Sequence, residues 1–336
     1  MKTYLALIIC AIPAFVFGQY TDVINSNRPG VSKSAYAVGV NVIQFEAGPY
    51  YSKENHVPLQ YETSGGGVDF AGRYGLIWEQ LELIVDGTFQ ADTYTDNRSS
   101  IEDEYSRSNF KTLSVGAKYL LYDPYKNAHL EKPNLYSWKA NHSFKWSKLI
   151  PAVSIYAGAN YDTELNPFTP QGIEGFSPKI EIMTQHNFVS GWVLIMNLSK
   201  NRIGMKDSSD QDASDLQYIF TLTHSFGKKW VAFGEYQGIK SNFYADDLFR
   251  LGGAYLVSKN LQLDTAVTFN VKDTPTVFGL NFGASYRIDL HKDKEIEASN
   301  GFPTNKNQGK NKNTESEYYK FGEDLDTAPT EYKMDI

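Results

Sequence analysis

Residues 276–289 read TVFGLNFGASYRID. Taken in alternation, the stretch puts Phe278, Leu280, Phe282, Ala284, Tyr286 and Ile288 on one side. Gly279, Asn281, Gly283, Ser285 and Arg287 fall on the other. Successive side chains of a strand point to opposite faces, so this is a strand with one apolar, aromatic face and one small or polar face. Eleven more segments repeat the code, near 40–51, 67–76, 81–94, 109–122, 148–161, 176–188, 192–203, 215–226, 230–241, 247–258 and 261–271. No segment carries a helical period. A soluble sandwich would also alternate, but its outward face would be polar. Here the apolar face is continuous and the other face holds most of the charge. That polarity predicts an all-β, antiparallel up-and-down transmembrane barrel of about twelve strands, each near the ~10 residues a tilted membrane strand needs.

The ends of the chain agree with this. Lys2, the apolar run Tyr4 to Phe17 and the small Gly18 read as a signal peptide over 1–18, too short for a membrane helix. Cys10 lies inside it, so the mature chain is free of cysteine and of every chemistry that needs a thiolate. Past residue 18 no apolar run is long enough to span as a helix, and a closed barrel is the other way to satisfy the backbone in lipid. The net charge of −7 shows no basic face for nucleic acid.

Connections between strands alternate in length. Those between strands 2–3, 6–7, 8–9 and 10–11 are tight, and those between 1–2, 3–4, 5–6 and 7–8 are longer and polar. Outer-membrane barrels pair short periplasmic turns with long external loops, which places both termini in the periplasm. Residues 123–147 break the rule, being a long segment where a short turn is due. The expected organisation is a signal peptide at 1–18, a periplasmic or plug segment at 19–39, a barrel at 40–290 and a flexible, disordered periplasmic tail at 291–336.

Several stretches resemble a family of outer-membrane transporters of the phenol meta-cleavage pathway: NRPGVSKS, QFEAG, GRYGLIWEQLEL, LSVGAKYLL, LGGAYLVSKNLQLD and FGLNFGASYR, in that order across 25–290. The resemblance implies a barrel passing small hydrophobic or aromatic compounds. The family has Asp before Arg-Pro-Gly, whereas this chain has Asn27, which puts in doubt a pairing between that acid and Arg28. The stretch containing Asn281, Gly283, Tyr286 and Ile288 is similar to the terminal-strand signal read by the barrel assembly machinery, except that a tail follows it.

Pro29 and Gly30 predict a sharp turn ahead of strand 1, with Gly30 free to take an unusual φ and Arg28 folded back as part of a small plug. Projecting the alternation inward gives lumen charges Glu46, Asp69, Arg73, Glu82, Asp86, Lys118, Lys179, Glu181, Glu235, Arg250, Asp264 and Arg287. Glu46, Arg73, Glu82, Lys118, Asp264 and Arg287 fall nearest the periplasmic end, either as space-filling pairs or as a polar gate. Arg73 and Glu82 sit diagonally across one hairpin, within reach of each other.

Catalysis finds no foothold. An outer-membrane phospholipase is also a twelve-stranded barrel, but its His and Ser must stand two apart to share a face. His142-Ser143 and His224-Ser225 are adjacent and point apart. No His cluster has metal spacing, and no cofactor is expected. The partners expected are outer-membrane lipid, the assembly machinery and an envelope protein. Such a protein would meet Tyr318, Tyr319, Phe321 and Tyr332 of the tail, and the 123–147 segment. Two readings stand: a channel for a small hydrophobic or aromatic solute, and a non-transporting subunit that docks periplasmic partners.

Overall fold

The computed structural model describes residues 23–98, 103–125, 150–188 and 191–290. Twelve strands follow one another as β1 (Val42–His56), β2 (Tyr61–Gly75), β3 (Leu81–Asp96), β4 (Asp103–Tyr122), β5 (Ala152–Asp162) and β6 (Gly175–Asn187), then β7 (Trp192–Asn201), β8 (Asp215–Phe226), β9 (Trp230–Lys240), β10 (Asp246–Ser258), β11 (Leu261–Asn270) and β12 (Thr276–Asp289). Each pairs antiparallel with its sequence neighbours, and β1 pairs with β12 to close the barrel. Below, the lower end is the one where β1 begins and β12 finishes.

All twelve expected strands are present, and their faces are as the alternation requires. On β1, Gln44 and Glu46 are 1% and 3% exposed while Phe45 between them is 53% exposed. On β12, Ser285 and Arg287 are buried while Phe282 and Tyr286 stand out. The same outward face on the other strands carries Leu83, Val85, Val115, Ile180, Ile182, Leu198, Leu222, Leu251 and Leu263, all exposed. A closed wall with an apolar exterior is the arrangement in which a sheet satisfies its backbone within lipid.

Two connections differ from the sequence reading. The long loops expected between strands 1 and 2 and between strands 3 and 4 are mostly strand: β1 and β2 continue to a turn at 57–60, and β3 and β4 nearly to 97–102. These extensions are polar, so they carry no membrane signal. Backbone pairing does not need one. Glu54↔Thr63 and Asn55↔Glu62 continue the ladder, with Lys53 and Glu62 bridged at 2.6 Å. The connections at 163–174 and 202–214 are long, as expected.

The signal peptide, most of 123–147 and the tail with Tyr318, Tyr319, Phe321 and Tyr332 lie outside the described residues. Residues 1–292 and 293–336 form separate units.

Candidate functional site

The inward face of the lower half is charged, and buried charges need partners. They find them in residues 23–41, which enter the lumen before β1 begins. The pairing expected across the β2–β3 hairpin is present: Arg73 Nε donates to Glu82 Oε1 at 2.6 Å, with both side chains fully buried. Glu46 lies 3.3 Å from Arg73, and Lys118 lies 3.2 Å from Glu82. None of the four spans an open bore. Arg73 Nη1 also donates to the Asn25 carbonyl (2.7 Å), and Lys118 Nζ to the carbonyls of Ser34 (3.0 Å) and Tyr36 (2.8 Å). Glu82 accepts the Val38 amide at 3.0 Å. These wall charges therefore serve the backbone polar groups of the inserted segment, which would otherwise be buried without partners.

Arg28 is placed by a different device. Its guanidinium bridges to Asp264 at 3.2 Å and donates to the Phe282 carbonyl at 3.2 Å. A Cβ on Gly48 or on Gly283 would overlap that guanidinium, so two glycines on adjoining strands make the slot it occupies. The β1–β12 partners run to Ala47↔Ala284 and resume at Tyr50↔Asn281. The register puts Pro49, which has no N–H, opposite Phe282, and Arg28 supplies the donor the ladder lacks there. Asn27 does not need to be an acid: its Oδ1 accepts the Ser34 amide at 3.0 Å, and Asp264 on the wall is the carboxylate for Arg28.

Gly30 corrects the sequence reading. It is absent from the left-handed positions, which here include Gly39 (φ 96°) and Asn41 (φ 58°) at the entry to β1. What Gly30 provides is space, since a Cβ would meet the Glu235 carboxylate. Glu235 accepts the amides of Val31 and Ser32 (each 3.1 Å) and the Thr221 hydroxyl (2.8 Å), and bridges to Arg250 (3.0 Å). Arg287 donates to the Val23 carbonyl at 3.0 Å and bridges to Asp289 at 3.3 Å.

Several anchors were not singled out from sequence. Lys33 bridges to Asp86 (3.2 Å) and Glu181 (3.4 Å). Ser34 donates to Gln185 at 2.7 Å, and Asn197 donates to the Lys33 carbonyl at 3.0 Å. Burial alone would lower the Lys33 pKa, but Asp86 and then Glu181 outweigh it and hold the pKa above the usual lysine value. The one trace of Lys33 and Ser34 in the sequence is their position within NRPGVSKS, and Gln185 and Asn197 leave none. Of the terminal-strand residues, Asn281 and Gly283 face inward and Tyr286 and Ile288 face outward.

The upper half is organised differently. Asp92 is bridged to Arg107 at 2.8 Å, and Arg202 holds Asp162 and Asp215 at 2.7 and 3.1 Å. Tyr61 stacks on Tyr94 (5.2 Å) and Tyr94 on Tyr105 (5.1 Å), giving an aromatic row at the mouth. Glu54, Asp69 and Asp246 have no Lys or Arg at ion-pair distance among the described residues; Glu54 accepts the Tyr61 hydroxyl and Asp246 that of Tyr244. Among the same residues, no group of three His, Cys, Asp or Glu is arranged to hold a metal.

Fold and lumen together define a membrane-spanning β-barrel of the outer-membrane type with residues 23–41 folded inside. The chain belongs to the family described as "Putative MetA-pathway of phenol degradation", whose model matches residues 26–288. No curated protein matches it. Similar solved structures include the COG4313 outer membrane channel from Pseudomonas putida F1, with 10% identity, TM-score 0.44, and coverage of 79% of this chain and 100% of that one. The Pseudomonas putida toluene transporter TodX has 8% identity, TM-score 0.44, and coverage of 81% and 99%. The transport unit of the autotransporter AIDA-I from Escherichia coli has 11% identity, TM-score 0.43, and coverage of 85% and 97%.

Proposed function

We propose that the protein is an outer-membrane channel for a small hydrophobic or aromatic solute, closed at rest by residues 23–41. The observation that carries this is the way the segment is held. Side-chain ion pairs and hydrogen bonds tie it to wall residues on at least seven different strands, from Glu46 on β1 to Arg287 on β12. Such contacts can be exchanged for water when the segment moves, whereas a purely space-filling core would be apolar. Membership of a family described by phenol degradation supports an aromatic solute. The aromatic row at the upper mouth offers ring faces to such a compound.

The orientation proposed has both termini in the periplasm and the β3–β4 connection outside. An epitope inserted there should be labelled on intact cells, and one after Ile336 only after permeabilisation. Labelling of both on intact cells would reverse the orientation. The function itself is tested by the double variant Arg28→Ala/Asp264→Asn, which removes one anchor without leaving a charge. It should raise single-channel conductance and solute uptake. A filled lumen also suits a docking subunit that transports nothing. In that case the double variant would behave as wild type, and deletion of 291–336 would abolish the phenotype.

A further inference from the structure

A group of hydrogen-bond donors stands on the lumen wall of β4, β5 and β6 with little to donate to. Lys179 is the one lumen cation named above that has no carboxylate at ion-pair distance among the described residues. Its Nζ reaches the Ser114 hydroxyl at 3.3 Å and lies 5.7 Å from the Tyr156 ring centre. Asp86 and Glu181 are nearby but engaged with Lys33. Among the described residues, Asn160 Nδ2 and Ser177 Oγ have no hydrogen-bond partner, in residues that are 8% and 1% exposed, and the fully buried Tyr156 places its hydroxyl beside Ser114.

These atoms are neighbours by register. Ser114 pairs with Asn160, Asn160 with Ser177, and Gly158, one step along, with Lys179. The Tyr156 hydroxyl lies where a Cβ on Gly158 would point, so the ring folds over that glycine toward Lys179. Gly116, opposite Gly158, likewise adds no side chain. The Tyr156 ring covers both glycines, and beside it an ammonium, an amide N–H₂ and hydroxyls stand together on the wall.

We propose that this group of donors is a subsite for the carboxylate of a small amphipathic acid. A carboxylate offers several lone pairs in one plane and strengthens each donor it meets, which matches one ammonium set among neutral donors. The rest of the lumen orients it the same way. The carboxylates without a cation, Glu54, Asp69 and Asp246, stand on β1, β2 and β10, away from β4–β6 around the wall. Their field pushes an anion toward Lys179 and leaves the apolar part of the solute toward the aromatic mouth. This deepens the channel reading and rests on it. Lumen water alone is the rival partner of these donors, and the two give different results.

The test is isothermal titration of the full-length protein in detergent with benzoate, and with benzyl alcohol as the uncharged counterpart. Benzoate should bind, and Lys179→Met should weaken it at least ~10-fold, the worth of one charge-assisted contact, without changing benzyl alcohol binding. Lys179→Arg should keep most of the benzoate affinity, which covers the case in which the methionine variant fails to fold. Failure of the folded wild type to bind benzoate, or equal benzoate affinity in wild type and Lys179→Met, overturns the subsite. Toluene influx into liposomes separates the two claims. Influx without benzoate binding removes the subsite and leaves the channel, and benzoate binding without influx of any solute upholds the subsite and removes the channel.

Discussion

The two halves of the lumen use the same residue types to different ends. In the lower half, Glu46, Arg73, Glu82, Lys118, Glu235, Asp264 and Arg287 are all engaged, and nearly all of them touch residues 23–41. In the upper half, among the described residues, Glu54, Asp69 and Asp246 lack cations and Asn160 Nδ2 and Ser177 Oγ lack partners. A charge in the lower half is therefore part of the joint between wall and inserted segment, whereas upper-half charges either pair along the wall, as Arg107 does with Asp92 and Arg202 with Asp162 and Asp215, or have no ionic partner among the described residues. Lumen-facing charge alone does not distinguish a gate from a socket. What distinguishes them is whether the partner belongs to the wall or to something that can leave.

The sharpest way to break this comparison is Arg73→Ala. It leaves Glu46 without its cation and Glu82 with Lys118 only, in a fully buried place, and should cost ~3–5 kcal/mol of folding stability in urea titrations into lipid vesicles. Arg73→Ala with Glu82→Gln should recover much of that loss and raise conductance, because the Asn25 carbonyl and the Val38 amide lose their charged partners. Full stability in the single variant would mean that the lower half is solvated and not a joint.

The lipid face gives the next largest effect. Phe282→Arg places a cation on the outward face of β12 and should cost ~2–4 kcal/mol and lower folded yield. The sequence alone suggests that Ser285→Arg would be milder. The structure removes the room for it, because Ser285 is fully buried with its Oγ 2.6 Å from that of Ser26. Ser285→Arg should thus fold poorly or displace the inserted segment, and gel mobility with conductance will tell which.

Asp69→Asn is the upper-half counterpart. Asp69 accepts from Thr88 at 2.7 Å and has no cation to lose, so an amide should shift stability by no more than ~0.5 kcal/mol. A large loss there would erase the distinction between the halves. The smallest expected effect is a null one. Because the folded pKa of Lys33 is raised, its contribution is complete below its unfolded value near ~10.4 and is lost only as pH rises through the folded value. Closed-state conductance should accordingly stay flat from about pH 7 to pH 10, and a rise within that window would show that Lys33 is not held as described.

Much of this was legible in the sequence. Period two in TVFGLNFGASYRID and its eleven counterparts sufficed for the barrel, since a one-residue slip would invert every face. It also sufficed for the Arg73–Glu82 pair, because hairpin register is local. The extensions of β1–β4 were not legible, as strand pairing beyond the membrane leaves no apolar mark. Nor were the anchors Lys33, Ser34, Gln185 and Asn197: they meet across more than a hundred residues, through a segment with no periodicity of its own. Gly30 was misread for a related reason. Sequence suggested conformational freedom, and the need for space arises only once Glu235 is brought against it.

The central claim, that residues 23–41 must leave their socket for solute to pass, is tested most directly by fastening them there. Cys10 is the one cysteine of the sequence and can be replaced by Ala, and the 2.6 Å contact between Ser26 and Ser285 places two side chains close enough for a bridge. Solute influx through Ser26→Cys/Ser285→Cys should be measured before and after reduction, with bridge formation followed by thiol titration. The account predicts little or no influx when oxidised and wild-type influx when reduced. Undiminished influx with the bridge fully formed would contradict it.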